Sequence, residues 1–173
     1  GAHSVITTDP QGRIETFSSG AERLLGFQAA EVVGKLSCEA FHDPTEMAAR
    51  AVELTHELKR PVAPGFDALV AKAEVNSHAE EHDWIYLRRD GARVPVRVSV
   101  TPMRDRRGRT TGYLVIASDV TRQRHAEERR RELAARFSKI AAQVPGMVFQ
   151  LKQSPDGRRC FPFASEGIRQ IYR

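Results

Sequence analysis

The sequence predicts an α+β fold in which helices cover one face of an antiparallel sheet. Two observations predict it. Short β-rich segments lie at both ends of residues 1–121, and segments with a helical spacing of apolar residues lie between them. In the later part, four valines alternate with other residues and therefore share one face of a strand: Val94, Val96, Val98 and Val100. Since two strands precede the helices and three follow them, the helices pack on a sheet rather than alternate with its strands.

The chain begins with a predicted β-hairpin. Residues 5–8 and 14–17 have strand character, and Asp9-Pro10-Gln11-Gly12 is a typical tight turn between them. Ser18 or Ser19 can cap a first helix that ends at Gly26. A second short helix is predicted over residues 28–33.

Two longer helices are predicted next. Pro44 suits the first turn of the first of them, which ends before Pro61. Its buried face follows from the helical spacing of Met47, Ala51, Leu54 and Leu58. The second is predicted from Phe66 to about Val75.

Three strands complete the predicted sheet. Residues 84–87 form a strand that closes at an Asp90-Gly91 turn, and the polar residues 76–82 before it are interpreted as a solvated loop. The valine strand follows. Residues 113–117 are nearly all apolar and form the last strand.

A charged helix is predicted over residues 122–143, with Thr121 as its cap. Apolar or small side chains recur on it at a spacing close to a heptad, interrupted by Arg130: Ala126, Leu133, Phe137, Ile140 and Val144. So narrow an apolar face favours pairing with a second copy in a short parallel coiled coil. The alternative is a solvated linker helix that packs back on its own domain.

Residues 144–173 begin to repeat the start of the chain. Residues 147–150 and 160–164 are predicted strands around the turn Asp156-Gly157-Arg158, and Ser165 precedes an apolar helix as Ser18 does. This predicts the truncated start of a second unit of the same kind.

The composition limits the partners. The net charge of +5 does not indicate nucleic acid, because the arginines lie on one turn, residues 104–109, or are mixed with glutamates in residues 122–136. No apolar run is long enough to span a membrane, and a cytoplasmic protein is expected. Cys38 and Cys160 lack metal-ligand spacing and are expected to be reduced thiols.

Taken in order along residues 5–121, several motifs resemble a PAS domain, the sensory module of bacterial histidine kinases and of cyclic-di-GMP (GGDEF) proteins. They are Thr8-Asp9-Pro10-Gln11-Gly12-Arg13-Ile14, Ala21-Glu22-Arg23-Leu24-Leu25-Gly26-Phe27, Glu31-Val32-Val33-Gly34-Lys35, Tyr86-Leu87-Arg88-Arg89-Asp90-Gly91 and Gly112-Tyr113-Leu114. The closing Ser118-Asp119-Val120-Thr121 is similar to the Asp-Ile-Thr signature that couples such domains to a signalling helix. Residues 144–173 look like the opening of a second PAS domain.

The resemblance implies a five-stranded sheet in the order 2-1-5-4-3, with helices around a possible ligand cavity. It divides the chain into a sensory domain (1–121), a signalling helix (122–143) and the start of the second domain (144–173). Strand alternation and PAS topology together give the candidate ligand-contacting residues: Phe66, Leu69, Trp84, Tyr86, Val96, Val98, Tyr113, Val115 and Ala117. Asp119 and Thr121 would couple the sheet to the helix, and Leu133, Phe137 and Ile140 would form the dimer face.

The ligand stays open, and no cofactor is required by the sequence. Flavin photochemistry in this family needs an Asn-Cys-Arg motif, whereas Cys38 lies in Ser37-Cys38-Glu39. Haem needs an axial ligand, and the two candidates, His78 and His82, lie in a segment whose polarity argues against it. The same pair lacks a third ligand for a metal. No His, Arg or Lys is clearly predicted inside the core, which argues against an anionic ligand.

Two functions remain from different classes. The first is a sensory and signal-transfer module of a multidomain bacterial signalling protein, which senses a small ligand or relays the state of a neighbouring domain through the linker helix to a downstream kinase or cyclic-di-GMP domain. The second is a ligand-free structural dimerisation spacer. No catalytic motif occurs, so the chain is not expected to be an enzyme.

Overall fold

The computed structural model describes residues 3–76, 78–143, 149–153 and 159–164. The chain divides into two compact units, Gly1–Arg122 and Gln123–Arg173. The first unit contains β1 (Ser4–Thr8), β2 (Ile14–Phe17), α1 (Ser19–Leu25), α2 (Ala29–Val32), a 3₁₀ helix (Cys38–Phe41), α3 (Pro44–Leu58), α4 (Phe66–Asn76), β3 (Glu80–Leu87), β4 (Arg93–Arg104) and β5 (Thr110–Asp119). Helix α5 (Thr121–Gln143) begins at its end, and β6 (Phe149–Gln153) and β7 (Arg159–Ala164) belong to the second unit.

The first unit is built on one antiparallel sheet of five strands in the order β2-β1-β5-β4-β3. The predicted fold class and strand order are confirmed. The valines of β4 behave as the alternation predicts: Val96, Val98 and Val100 are buried, while Arg97 between them is exposed. This face of the sheet carries the main core, together with side chains from α1, α2, the 3₁₀ helix and α4.

The helix ends follow from local chemistry. The Ser18 hydroxyl accepts a hydrogen bond from the Ala21 amide (3.2 Å) at the start of α1. Gly26 ends this helix with a φ of 78°, a left-handed conformation that glycine adopts without strain. Asp43 caps α3 by accepting from the Thr45 amide (2.8 Å).

Strand β3 is longer than the sequence predicts. It begins at Glu80, so the interpretation of residues 76–82 as a loop is wrong for its last three residues. These residues pair with Val98–Val100 of β4, and the backbone pairing tolerates their polar side chains at the edge of the sheet. The 3₁₀ helix at Cys38–Phe41 is likewise not predicted from the sequence.

Helices α3 and α4 pack together around a second, smaller core formed by Ala51, Leu54, Val62, Ala68 and Ala71. In the second unit, β6 and β7 pair antiparallel, close to the two strands predicted there. Met147, Val148 and the helix predicted after Ser165 lie outside the described residues. That these residues start a second PAS domain stays a prediction.

Candidate functional site

The nine residues predicted to contact a ligand come together in the main core. Eight are buried there, and Phe66 is partly buried and packs against them. The strand register explains the grouping, because Trp84 lies opposite Val96 on β4, and Val98 lies opposite Ala117 on β5. Their role in ligand binding stays a prediction.

Phe66 connects the first turn of α4 to the sheet. Its ring makes a T-shaped contact with Tyr113, at 5.4 Å between centroids. Gly12 lies under the same ring: a Cβ at this position would be 2.6 Å from the nearest ring carbon. The β1–β2 turn therefore supports one wall of the candidate site.

Tyr113 has a polar partner at the other end of α4. Its hydroxyl donates a hydrogen bond to Glu74 Oε1 (2.7 Å), which also accepts from Thr110 (2.8 Å). Arg104 pairs with the second carboxylate oxygen at 3.1 Å. Burial raises the pKa of Glu74, but the hydrogen bonds and the arginine outweigh it and hold this pKa below its usual value. The tyrosine is thereby anchored to the edge of the site.

A buried histidine, His42, is the main residue that the sequence analysis missed. It is 3% exposed and lies against Trp84 and Tyr86, with ring centroids 5.2 Å and 4.9 Å away. The expectation of no histidine inside the core is therefore wrong. The sequence marks the start of α3 at Asp43-Pro44, but the burial of His42 follows from its antiparallel backbone bridge to Tyr86 of β3.

His42 presents a hydrogen-bond acceptor to the core. Its Nδ1–H donates to the Cys38 carbonyl (3.2 Å), so in the neutral ring Nε2 carries a lone pair. Nε2 is buried and has no partner among the described residues. Burial lowers the pKa of His42 to about 4, so the ring is neutral at pH 7.

Cys38 and Tyr86 lie in the same part of the core. Both are almost fully buried, and burial raises the pKa of the Cys38 thiol to about 12. Burial also raises the pKa of the Tyr86 hydroxyl above its usual value. At neutral pH the core therefore offers an imidazole, a thiol and a phenol, all uncharged.

A charged pair closes this end of the core. Asp43 pairs with Arg93 at the start of β4. The hydrogen bond from Arg93, followed by that from the Thr45 amide, lowers the pKa of the Asp43 carboxyl. The pair links the beginning of α3 to the sheet beside His42.

Of the two histidines considered as haem or metal ligands, His82 borders this group through Trp84, whereas His78 does not contact it. His78 is exposed and contacts the neighbouring carbonyl of Ala79. His82 is half-buried and packs against Trp84 at 4.9 Å, and burial lowers its pKa. Within the described part of the chain, no three His, Cys, Asp or Glu side chains are grouped so that they could hold a metal ion.

The predicted coupling residues lie where β5 passes into α5. Asp119 Oδ1 accepts a hydrogen bond from the Thr121 amide (2.8 Å). The cap is thus supplied by Asp119, and Thr121, predicted as the cap, is the first residue of the helix. Val115 and Ala117 of the candidate site belong to the same strand as Asp119. Whether these residues transmit a signal stays a prediction.

A surface pocket of about 560 Å³ lies at the same junction. It is lined by His3, Gly20, Arg23, Leu24, Arg88, Ser118, Asp119 and Arg122. None of the nine predicted ligand-contacting residues lines it. The His3 ring and the Ser118 hydroxyl are hydrogen-bonded to each other at 2.7 Å.

Helix α5 exposes its large apolar side chains. Leu133, Phe137 and Ile140 are 66%, 46% and 61% exposed. Among the residues that the structure describes, no helix is both long and apolar enough to cross a lipid bilayer.

Comparison with known proteins agrees with this architecture. A family model described as a PAS domain matches residues 2–122. The two-component system protein A of Emericella nidulans is 27% identical over 125 residues, which are 72% of this chain and 16% of that protein. The chain thus spans about a sixth of the length of this relative.

Solved structures share the fold. One is the PAS domain of a protein from Colwellia psychrerythraea, with a TM-score of 0.52 and 18% identity, covering 70% of this chain and 89% of that one. Another is the light-state structure of the blue-light photoreceptor Aureochrome1 LOV, with a TM-score of 0.52 and 21% identity over 76% of this chain and 91% of that one. At these identities the likeness shows the fold alone.

Proposed function

The chain belongs to the PAS domain family, and from this premise we propose that it is a sensory and signal-transfer module of a multidomain bacterial signalling protein. One observation carries the proposal. The strand that supplies Val115 and Ala117 to the core ends at Asp119, which caps α5 two residues later. A change in how the core packs against β5 would therefore reach the start of α5 through a single strand.

The proposed input is a small ligand in the core beside His42, Trp84 and Tyr86. A buried acceptor without a partner costs free energy, about 1–3 kcal/mol, and a ligand that donates a hydrogen bond to His42 Nε2 would recover it. Because the imidazole is neutral at pH 7 and the charge of the neighbouring Asp43 is already paired with Arg93, an uncharged ligand with an N–H or O–H donor fits best. To transmit anything, it must bind two arrangements of the domain with different affinity.

The proposed route onward is α5, in a homodimer. The spacing of Leu133, Phe137 and Ile140 suits a parallel two-helix contact, and all three side chains are largely exposed to solvent. A kinase or cyclic-di-GMP domain in the same protein would then respond to the pairing of the two helices. The name of the Emericella relative, a two-component system protein, supports the kinase pathway.

The proposal also covers the domain boundaries, the absence of catalysis and the cellular location. The sensory domain spans residues 1–121, the signalling helix 122–143 and the start of a second PAS domain 144–173. The domain would bind and relay without catalysing a reaction, because no catalytic motif occurs in the sequence. A cytoplasmic location fits the free thiol of Cys38, since reduced cysteines are typical of that compartment.

A second function, the ligand-free dimerisation spacer, rests on the same exposed face of α5. Ligand occupancy separates the two. Native mass spectrometry of the purified chain, compared with its denatured mass and its absorption spectrum, measures it directly. A bound small molecule that leaves on denaturation supports the sensory function, and a Soret band in the absorption spectrum would identify that molecule as haem.

A variant makes the test specific. His42→Phe fills the space of the imidazole and removes the acceptor, so it should lower ligand occupancy severalfold. His56→Phe, at an exposed position of α3, is the matched control and should keep it. A chain without ligand, including when purified under mild conditions and from several growth states, contradicts ligand sensing and leaves the relay of a neighbouring domain's state and the spacer.

A further inference from the structure

The pocket at the junction of β5 and α5 has an unusual charge balance. Three of its lining residues are arginines, Arg23, Arg88 and Arg122, and its one carboxylate is Asp119. With His3 neutral, the lining carries two net positive charges. Like charges that share a concave surface repel each other, so the arrangement favours a bound anion.

The guanidinium groups of this pocket have few partners inside the protein. The guanidinium groups of Arg23 and Arg122 make no hydrogen bond or ion pair in the described part of the chain. Arg88 lies 3.7 Å from Asp90, and its Nε is buried without a hydrogen-bond partner. By contrast, arginines elsewhere on the sheet are held in close ion pairs, as Arg97 is by Asp83 at 2.8 Å.

The arginines come from three elements that the fold brings together. Arg23 lies in the last turn of α1, Arg88 follows β3, and Arg122 is the second residue of α5. Arginine presents several donors in a planar fork that matches carboxylate and phosphate oxygens. A pocket of about 560 Å³ has the size usual for a small-molecule ligand.

We propose that this pocket binds a small polyanion bearing carboxylate or phosphate groups, held by Arg23, Arg88 and Arg122. The anion would join the first turn of α5 to α1 and to the end of β3. This site is separate from the core around His42, so the proposal stands or falls without the sensory role given above. It gives the junction a second input, which acts on α5 directly rather than through the sheet.

Isothermal titration calorimetry of the full chain with citrate and with inorganic pyrophosphate, at fixed ionic strength, tests the proposal. The two probes distinguish a carboxylate ligand from a phosphate ligand. The double variant Arg23→Ala, Arg122→Ala should weaken the binding at least tenfold. Its unfolding transition should stay close to that of the wild type, because neither arginine has a partner to lose.

The charge-matched control is the double variant Arg106→Ala, Arg107→Ala on the exposed β4–β5 turn, away from the pocket. It removes the same charge and should change the affinity less than twofold. Asp119→Asn keeps an oxygen that can accept the Thr121 N–H but removes the one negative charge of the lining, so it should tighten binding severalfold. Equal losses in the two double variants, unchanged affinity in Asp119→Asn, or no binding of either probe would overturn the proposal.

Discussion

His42 is the residue whose chemistry is most changed by folding. The burial that lowers its pKa to about 4 means that the unfolded chain takes up a proton near pH 6.5 while the folded chain does not. Its contribution to stability is therefore complete above pH 6.5 and is lost as the pH falls towards 4. The shift corresponds to about 3 kcal/mol at the acid end of this range.

We expect His42→Gln to reduce the acid sensitivity of the fold. The free energy of unfolding, measured by urea titration at pH 7 and pH 4.5, should fall by about 2–3 kcal/mol less in the variant than in the wild type. All other ionisable groups are the same in both proteins, so their effects cancel in the comparison. His56→Gln, at an exposed position, should keep the wild-type pH dependence. If the free energy of unfolding of His42→Gln falls between pH 7 and pH 4.5 as much as that of the wild type, His42 takes up a proton in the folded state at pH 4.5.

Gly12 is a second position where a single residue decides local structure. Its φ is +88°, and an added Cβ would meet the ring of Phe66. We expect Gly12→Ala to lower the free energy of unfolding by about 2–3 kcal/mol, from backbone strain and from displacement of Phe66.

Gly91 offers the matched control. It has a φ of +81°, but no atom outside its chain neighbours lies within 4 Å of an added Cβ. Gly91→Ala therefore introduces backbone strain without a steric contact. Denaturant titration of both variants then isolates the contact with Phe66. Equal losses in the free energy of unfolding would mean that Phe66 does not pack against Gly12 in the β1–β2 turn.

At the scale of elements, the end of β5 and the start of α5 form the junction on which the proposed function depends. Asp119→Ala removes the acceptor of the Thr121 N–H and should cost about 1 kcal/mol of helix stability. In the full-length protein it should also weaken the response of the output to the input. Asp119→Asn retains an acceptor and separates loss of the cap from loss of the charge.

Hydrogen exchange at the first turn of α5 measures the coupling directly. Protection should fall in Asp119→Ala and persist in Asp119→Asn. If protection and output are both unchanged in Asp119→Ala, Asp119 has no role in coupling.

Both ends of helix α4 contact Tyr113 in the candidate site. Phe66 in its first turn packs on Tyr113, and Glu74 near its end binds the hydroxyl of the same tyrosine. Lys72 extends the connection by pairing with Glu57 of α3 and Glu80 of β3, at 3.0 Å and 3.1 Å. The pair α3–α4 is thus fixed to the sheet beside the candidate site.

At the scale of the whole molecule, the expected assembly is a homodimer through α5. Leu133→Glu with Phe137→Glu places like charges on the proposed contact and should give monomers, measured by native mass spectrometry or by light scattering. Val52→Glu with Val75→Glu changes two other exposed apolar residues, on α3 and α4, and should leave the dimer intact. A wild-type chain that is monomeric at high concentration contradicts the coiled coil.

The sequence by itself determined the class of fold and nearly every element, because each depends on local chemistry. Three examples depend only on residues a few positions away in the sequence. They are the alternating valines of β4, the cap of α3 at Asp43 and the end of α1 at Gly26. Strand alternation and PAS topology together gave the nine candidate residues, which lie in or against the main core, and their role in ligand binding stays a prediction. The extension of β3 to Glu80 escaped prediction, because pairing with β4 outweighs the polarity of its residues.

Only the tertiary structure decided which side chains from distant parts of the chain contact each other. His42 is distant in sequence from Trp84 and Tyr86, and its burial depends on its backbone bridge to Tyr86 and its ring contacts with both side chains. The cationic pocket gathers Arg23, Arg88 and Arg122 from three elements that no periodicity connects. Local patterns fix which residues turn inward, whereas the charges and lone pairs that meet there are set by contacts between distant parts of the chain.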